Sequence, residues 1–98
     1  MKNSATNANE GTAMNHKLLG RTGVKVSRLC FGTMSFGGEA DPAEAGRMYG
    51  ACRDAGINFF DCADIYRKGK AEEILGDLIA GERDQVVITS KCFNALFV

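Results

Sequence analysis

Three residues of this chain have the types and the spacing to move a proton. Asp61 and Tyr66 stand in "FFDCADIY", residues 59–66, and Lys91 ends the run "VVITSK". A free tyrosine has a pKa near ~10 and is a poor acid at neutral pH. A lysine ammonium beside it stabilises the phenolate, and an aspartate beside the lysine keeps that cation charged and in place. Such a trio can hand a proton to a developing alkoxide, which is general acid catalysis. Each residue also has a plain structural reading. An aspartate at a strand end caps a loop, a tyrosine after a strand is a rim aromatic, and a lysine at a strand end is solvated. Only convergence of the three on one edge separates the two readings.

The elements that must bring them together can be read from periodicity and punctuation. "HKLLGRTGVKVSRL" places two short apolar-bearing runs around Gly20-Arg21-Thr22-Gly23, which predicts a β-hairpin. "LCFGTMSFGG", from Leu29 to Gly38, starts as a buried strand and loosens into a loop at its glycines. "DPAEAGRMYGACRDAG" predicts a helix with Asp41 as N-cap, Pro42 at the first helical position and Gly56 at C′. Ala45, Met48, Tyr49 and Cys52 give it one apolar face. Gly46 and Gly50 weaken it by roughly 1 kcal/mol each, so packing on a sheet must compensate.

"INFF" is a short strand running into Asp61, and "YRKGK" is a polar loop. "AEEILGDLIAG" is a second helix with an apolar stripe of Ala71, Ile74, Leu75, Leu78 and Ile79, stopped by Gly81. "ERDQ" is a connection, and the β-branched "VVITSK" is a strand.

The order hairpin, strand, helix, strand, helix, strand specifies an α/β fold with a parallel sheet. Two architectures satisfy it: an open doubly wound sheet, or the start of a (β/α) barrel. In both, parallel strands end on one edge, and ligands bind at that carboxyl edge. Neighbouring strands lie about 4.8 Å apart. Alternation puts Ile57, Phe59 and Asp61 on one face, and Val87, Thr89 and Lys91 on one face of the next strand. Asp61 and Lys91 then project from the same end, with Tyr66 starting the loop above them.

Composition removes several classes of function. The chain has 98 residues, enough for one small domain, with 45% apolar and 24% charged residues. Twelve basic and twelve acidic side chains cancel. That balance argues against a nucleic-acid binder, which needs a basic excess, and against an electrostatic membrane anchor. No apolar run approaches the roughly 20 residues of a membrane span. Residues 1–15 are rich in Asn, Ala, Ser and Thr and are expected to be a disordered leader, without an export signal. The compartment expected is therefore reducing and cytoplasmic. Cys30, Cys52, Cys62 and Cys92 show no CxxC spacing, and the chain has one histidine, so no metal site is expected. The thiols are read as free and buried.

Weaker candidates remain. Arg67 to Lys70, "RKGK", is read as solvated surface rather than a phosphate site. "GTMSFGG" lacks the G-x-G-x-x-G spacing of a dinucleotide fingerprint. His16 precedes the expected core elements and is given no role.

Three ordered blocks now point further. "LGRTGVKVSRLCFGTMSFGG", "GINFFDCADIYRKGKAEEILG" and "VVITSKC" closely resemble the N-terminal part of the aldo-keto reductases, from about Leu18 to Lys91. The D-x-A-x-x-Y signature is matched by Asp61, Ala63 and Tyr66, and a G-x-x-E pattern by Gly69 and Glu72. The resemblance implies a (β/α)8 TIM-type barrel opened by an N-terminal hairpin, with residues 16–98 forming its first portion. It implies reduction of aldehydes or ketones, small-molecule carbonyl substrates, by hydride transfer from NADPH. In such a site Tyr66 is the general acid, and Lys91 and Asp61 tune it. Gly32, Thr33, Met34 and Asp61 match positions at the nicotinamide-ribose end of the cofactor. The resemblance also covers non-catalytic, cofactor-binding subunits that regulate a partner.

Two departures qualify it. Ala71 stands where the family often has serine. The chain also supplies three barrel strands and two helices, whereas a complete barrel takes typically about 250 residues. A histidine that the family places after the next strand has no counterpart. The expectation is a truncated product or an incomplete reading of a gene, poorly stable alone and weakly active or inactive. Its open sheet edge would favour self-association.

Overall fold

The computed structural model describes residues 14–92. Most of the expected leader, and the apolar run "FNALFV", lie outside the described residues. A hairpin comes first. Strand β1 (His16–Leu18) pairs antiparallel with β2 (Lys25–Ser27), with Lys17 opposite Val26. Its turn closes by Leu19 N to Val24 O at 2.8 Å and by Thr22 Oγ1 to Leu19 O at 2.6 Å. Gly20 and Gly23 both take positive φ, 55° and 78°, which explains glycine at each end of the turn. His16 therefore belongs to the hairpin and does not precede the core elements. The hairpin is tied to the rest of the fold by Asn58, whose Oδ1 accepts from Ser27 N at 2.7 Å. In return Asn58 N donates to Ser27 Oγ at 3.2 Å.

A three-stranded parallel sheet follows, in the order β3 (Phe31–Gly32), β4 (Phe59–Asp61), β5 (Val87–Thr89). Gly32 faces Asp61 across one ladder, and Asp61 faces Thr89 across the next. Strand β3 is shorter and less buried than its apolar start implies. Leu29 and Cys30 are exposed and lie before it, and only Phe31 packs against the core. The run is apolar, but its first residues still belong to the bend leaving the hairpin.

Two helices cover one face of the sheet. Helix α1 (Pro42–Asp54) begins where the capping signals place it, with Asp41 Oδ1 accepting from Glu44 N at 2.8 Å. It ends at Ala55, and Gly56 follows with φ +91°, the left-handed closure expected of a C′ glycine. Ala45, Tyr49 and Cys52 are buried, and Met48 packs at their margin. A Cβ on Gly46 would lie 3.6 Å from a methyl carbon of Leu78, an ordinary van der Waals distance, so space alone does not require glycine there.

Helix α2 (Lys70–Ile79) buries Ala71, Ile74, Leu75 and Ile79. Gly81 stands one residue past its cap, without positive φ. At the centre, the fully buried Phe60 meets Tyr49 with ring centroids 5.2 Å apart and Phe31 at 6.2 Å.

At the amino end of the sheet, a polar cluster joins α1 to the short 3-10 turn Arg83–Gln85. The Tyr49 hydroxyl donates to Glu82 Oε2, Arg53 Nε donates to the same oxygen at 3.0 Å, and Arg53 Nη1 reaches Ile57 O at 3.1 Å. Burial, and then the hydrogen bond to Glu82, push the Tyr49 phenol up to about 12.

The thiols divide in a way that composition did not show. Cys52 and Cys62 are buried, whereas Cys30 and Cys92 are exposed, and all four are free. Cys30 and Cys92 flank strand ends rather than packing under a helix. Among the described residues no cluster of His, Cys, Asp or Glu is arranged to hold a metal, and no helix is long and apolar enough to cross a membrane.

Candidate active site

Strands β4 and β5 place Asp61 and Lys91. Their pairing continues past the formal strand ends, with Cys62 N donating to Thr89 O at 2.8 Å and Asp64 N to Lys91 O at 2.9 Å. Lys91 therefore stays in register beside residues 62–64. Its Nζ donates to Asp61 Oδ1 at 3.1 Å, to Asp61 Oδ2 at 3.0 Å and to Cys62 O at 2.7 Å. The same ammonium lies 5.1 Å from the centroid of the Tyr66 ring. That is within the range at which a cation is attracted to an aromatic face. The structure thus brings Asp61, Tyr66 and Lys91 together.

The electrostatics are those of a held cation. Thr89 Oγ1 donates to Asp61 Oδ1 at 2.6 Å. This bond, and next the one from Lys91, hold the Asp61 carboxyl below its ordinary range against a smaller opposing effect of burial. Lys91 is raised above its ordinary value, first by its hydrogen bonds to Asp61, with Tyr66 adding in the same direction. The pair remains accessible, its side chains 40% (Asp61) and 49% (Lys91) exposed. This is a wet, open ion pair on the sheet face opposite the helices, not a buried one.

Tyr66 is half-buried, and its backbone N donates to Ala63 O at 3.2 Å. The polar loop expected after it is a tight turn, Tyr66–Gly69, feeding directly into α2. Arg67 and Lys68 both take left-handed conformations, with φ 53° and 57°. For non-glycine residues each costs of order 1–3 kcal/mol and persists where the surroundings over-determine it. Arg67 is not plain solvated surface, because it donates to Met34 O and to Glu39. Lys70 belongs to α2 and sits 3.8 Å from Glu73.

The segment of residues 32–34 lies alongside. Gly32 is exposed opposite Asp61, and a Cβ there would meet nothing within 4 Å, so this face is open. Met34 is 61% exposed. Thr33 differs from both. It is fully buried, and its N and Oγ1 each donate to Asp61 O at 3.0 Å. Its polar groups are committed to anchoring the segment onto β4.

Two supporting residues escaped the reading of types and spacing. Thr89 contacts Asp61 directly, and its signal was its place on the same face as Lys91. Glu72 accepts from Ser90 Oγ at 2.6 Å and so ties the first turn of α2 to the residue before Lys91. Only the G-x-x-E pattern pointed to it.

Parallel strands with helices on one face, and a lysine–aspartate–tyrosine group at the carboxyl edge, form the opening portion of a β/α barrel. The sequence profile described as "Aldo/keto reductase family" matches residues 28–97, and the chain belongs to that family. A rice protein described as "Probable voltage-gated potassium channel subunit beta" is 45% identical over 84 residues, covering 82% of this chain and 26% of the rice protein. The "Uncharacterized oxidoreductase YrpG" of Bacillus subtilis is 42% identical over 90 residues, covering 85% of this chain and 28% of its own length. Among solved structures, aldo-keto reductase AKR11C1 from Bacillus halodurans in its holo form superposes with a TM-score of 0.72 at 34% identity. That match covers 79% of this chain and 25% of the reductase. The chain therefore spans about a quarter of the length of the relatives it matches, and its fold is the corresponding part of their barrel.

Proposed function

We propose that this chain carries the proton-donating half of a carbonyl reductase site, in which aldehydes or ketones are reduced at the expense of NADPH. The observation that carries the proposal is the Lys91 ammonium, bound to Asp61 at 3.0 Å and lying 5.1 Å from the Tyr66 ring. When the Tyr66 hydroxyl gives its proton to the carbonyl oxygen, negative charge grows on the phenol oxygen. Lys91 is a fixed cation next to that charge, already oriented by Asp61 and Cys62 O, so little reorganisation is needed. Asp61 keeps the cation protonated and in place, and Thr89 keeps Asp61 ionised. The open face at Gly32 and Met34 suits the nicotinamide-ribose end of the nucleotide, with Thr33 holding the segment from beneath. NADPH, when bound there, supplies the hydride.

The test is to exchange residues 16–92 into the matching segment of the full-length Bacillus subtilis relative. NADPH-dependent carbonyl reduction is then followed by absorbance at the nicotinamide band. The chimera should turn over, and Tyr66→Phe should lower kcat by about 10²–10⁴-fold, the usual contribution of a positioned general acid. Turnover unchanged by Tyr66→Phe would overturn the role. The chain spans about a quarter of the relatives it matches, so turnover is read in the chimera.

A second reading is favoured by the similarity to the rice protein described as a channel subunit. In that case the same site binds nucleotide without productive turnover, as part of an accessory subunit. Nucleotide binding by the chimera, with reduction absent across a panel of carbonyls, would select it.

A further inference from the structure

The turn after β4 and the loop after β3 meet through one side chain. Arg67 Nε donates to Met34 O at 3.3 Å, and Arg67 Nη2 donates to the Glu39 carboxylate. Met34 opens that loop and Glu39 nearly closes it, so the guanidinium spans it. The loop beneath is folded on itself. Phe36 N donates to Thr33 O at 3.0 Å, Gly38 N to Ser35 O at 3.0 Å, and Gly37 N to Ala40 O at 2.8 Å. Phe36 is fully buried under it.

Gly38 leaves room for the guanidinium, and Gly37 leaves room for the start of α2. A Cβ on Gly38 would lie 2.2 Å from Arg67 Nε and 2.3 Å from its Cζ, inside the guanidinium. A Cβ on Gly37, whose φ is +90°, would lie 2.7 Å from the Lys70 Cβ. The partner side is no less constrained, since Arg67 follows Tyr66 and holds the left-handed conformation noted above. A left-handed turn, a glycine at Gly38 and a two-point guanidinium contact converge on one place.

We propose that Arg67 is a positioning residue that fixes residues 32–34 relative to Tyr66. The segment is anchored at its start by Thr33 on Asp61 O, and at Met34 by Arg67, the neighbour of Tyr66. With both anchors in place, the cofactor-facing segment and the proton donor form one rigid unit. This rests on the reading of residues 32–34 and Tyr66 given under Proposed function.

Hydrogen exchange and nucleotide titration on the full-length chimera carrying residues 16–92 test it separately. Arg67→Ala should speed exchange at Gly37, Gly38 and Ala40 by about 10-fold or more, because local opening becomes easier, while amides in α2 near Leu75 keep their rates. Gly38→Ala should produce the same acceleration with Arg67 itself unsubstituted, since its methyl displaces the guanidinium. Arg67→Lys should recover part of the protection, because a lysine can pair with Glu39 but lacks the fork that also reaches Met34 O. Alongside, Arg67→Ala should raise the Kd for NADPH, read by nucleotide fluorescence, by about 10-fold, with partial recovery in Arg67→Lys. Unchanged exchange in both Arg67→Ala and Gly38→Ala would overturn the clasp. Faster exchange with an unchanged Kd would overturn the positioning role. Absence of NADPH binding by the unsubstituted chimera would overturn the cofactor reading itself, and the exchange rates distinguish that failure from a failed clasp.

Discussion

The two ends of the parallel sheet carry the same kinds of side chain in opposite surroundings. At the amino end, Tyr49 faces a carboxylate, Glu82, with Arg53 alongside. At the carboxyl end, Tyr66 faces an ammonium, Lys91, with Asp61 behind it. The Arg53–Glu82 side chains are 21% and 28% exposed, against 49% and 40% for Lys91 and Asp61. Tyr49 is buried and packed on Phe60, whereas Tyr66 is only half-buried. A tyrosine that donates to an anion in a closed place is kept protonated, which is the reverse of what an acid needs. A tyrosine next to a cation on an open face has somewhere to send a proton and a charge to meet what is left. The presence of a tyrosine and an ion pair therefore says little, and the sign of the nearest charge says much.

Substitutions can break this contrast. The largest effect expected is on turnover in the chimera, where Tyr66→Phe costs about 10²–10⁴-fold in kcat. Tyr49→Phe should leave kcat within a few-fold and lower the melting temperature instead; equal losses of turnover at both tyrosines would erase the distinction. Next is Lys91→Met, which removes the cation and should lower kcat by about 10²–10³-fold, as loss of a preorganised charge-stabilising donor does. Its effect should be small in a Tyr66→Phe background, because both act on the same proton.

A smaller effect should appear at high pH. Tyr49 is pushed up to about 12 in the folded state, above the ordinary phenol value near ~10. Its contribution is complete below about 10 and is lost as pH rises through about 12, because the unfolded chain ionises first. Stability measured by denaturant should fall over that window, and Tyr49→Phe should remove this part of the fall. Ultraviolet titration showing Tyr49 ionising near 10 would contradict the closed amino end.

The smallest effect is at the acid limit. Asp61 is held below its ordinary carboxyl value, so its contribution is present above that value and is lost as pH falls through the depressed one. Carbon-13 titration of Asp61 should return towards the ordinary value in both Thr89→Val and Lys91→Met. Thr89→Val should return further, since the Thr89 hydrogen bond is the larger cause.

Much of the fold was legible because local rules and packing agree. The Asp41 cap, the Gly56 closure and the apolar stripe of α2 are signals carried within one helix, and each stands where periodicity places it. The beginning of β3 was not legible in the same way. Leu29 and Cys30 are apolar in type, yet they leave the hairpin before the sheet starts, and hydrophobicity alone does not register a bend. The "RKGK" segment failed for a related reason. Its charges suit solvent, but the left-handed turn at Arg67 and Lys68 brings the guanidinium over the loop of residues 34–39, thirty residues earlier in the chain.

By itself the sequence determined the element order, the parallel α/β class and the alternation that puts Asp61 and Lys91 on one face. These follow from periodicities of a few residues, which any folded form of the chain must respect. Tertiary structure decided what those residues meet. Register across two ladders set Thr89 against Asp61 and carried Lys91 alongside Cys62. A strained turn placed Tyr66 next to that ammonium, and Tyr49, of the same type, was sent to a carboxylate at the other end. The function of a titratable side chain depends on the charge and the water around it, and those are set by residues distant in the chain.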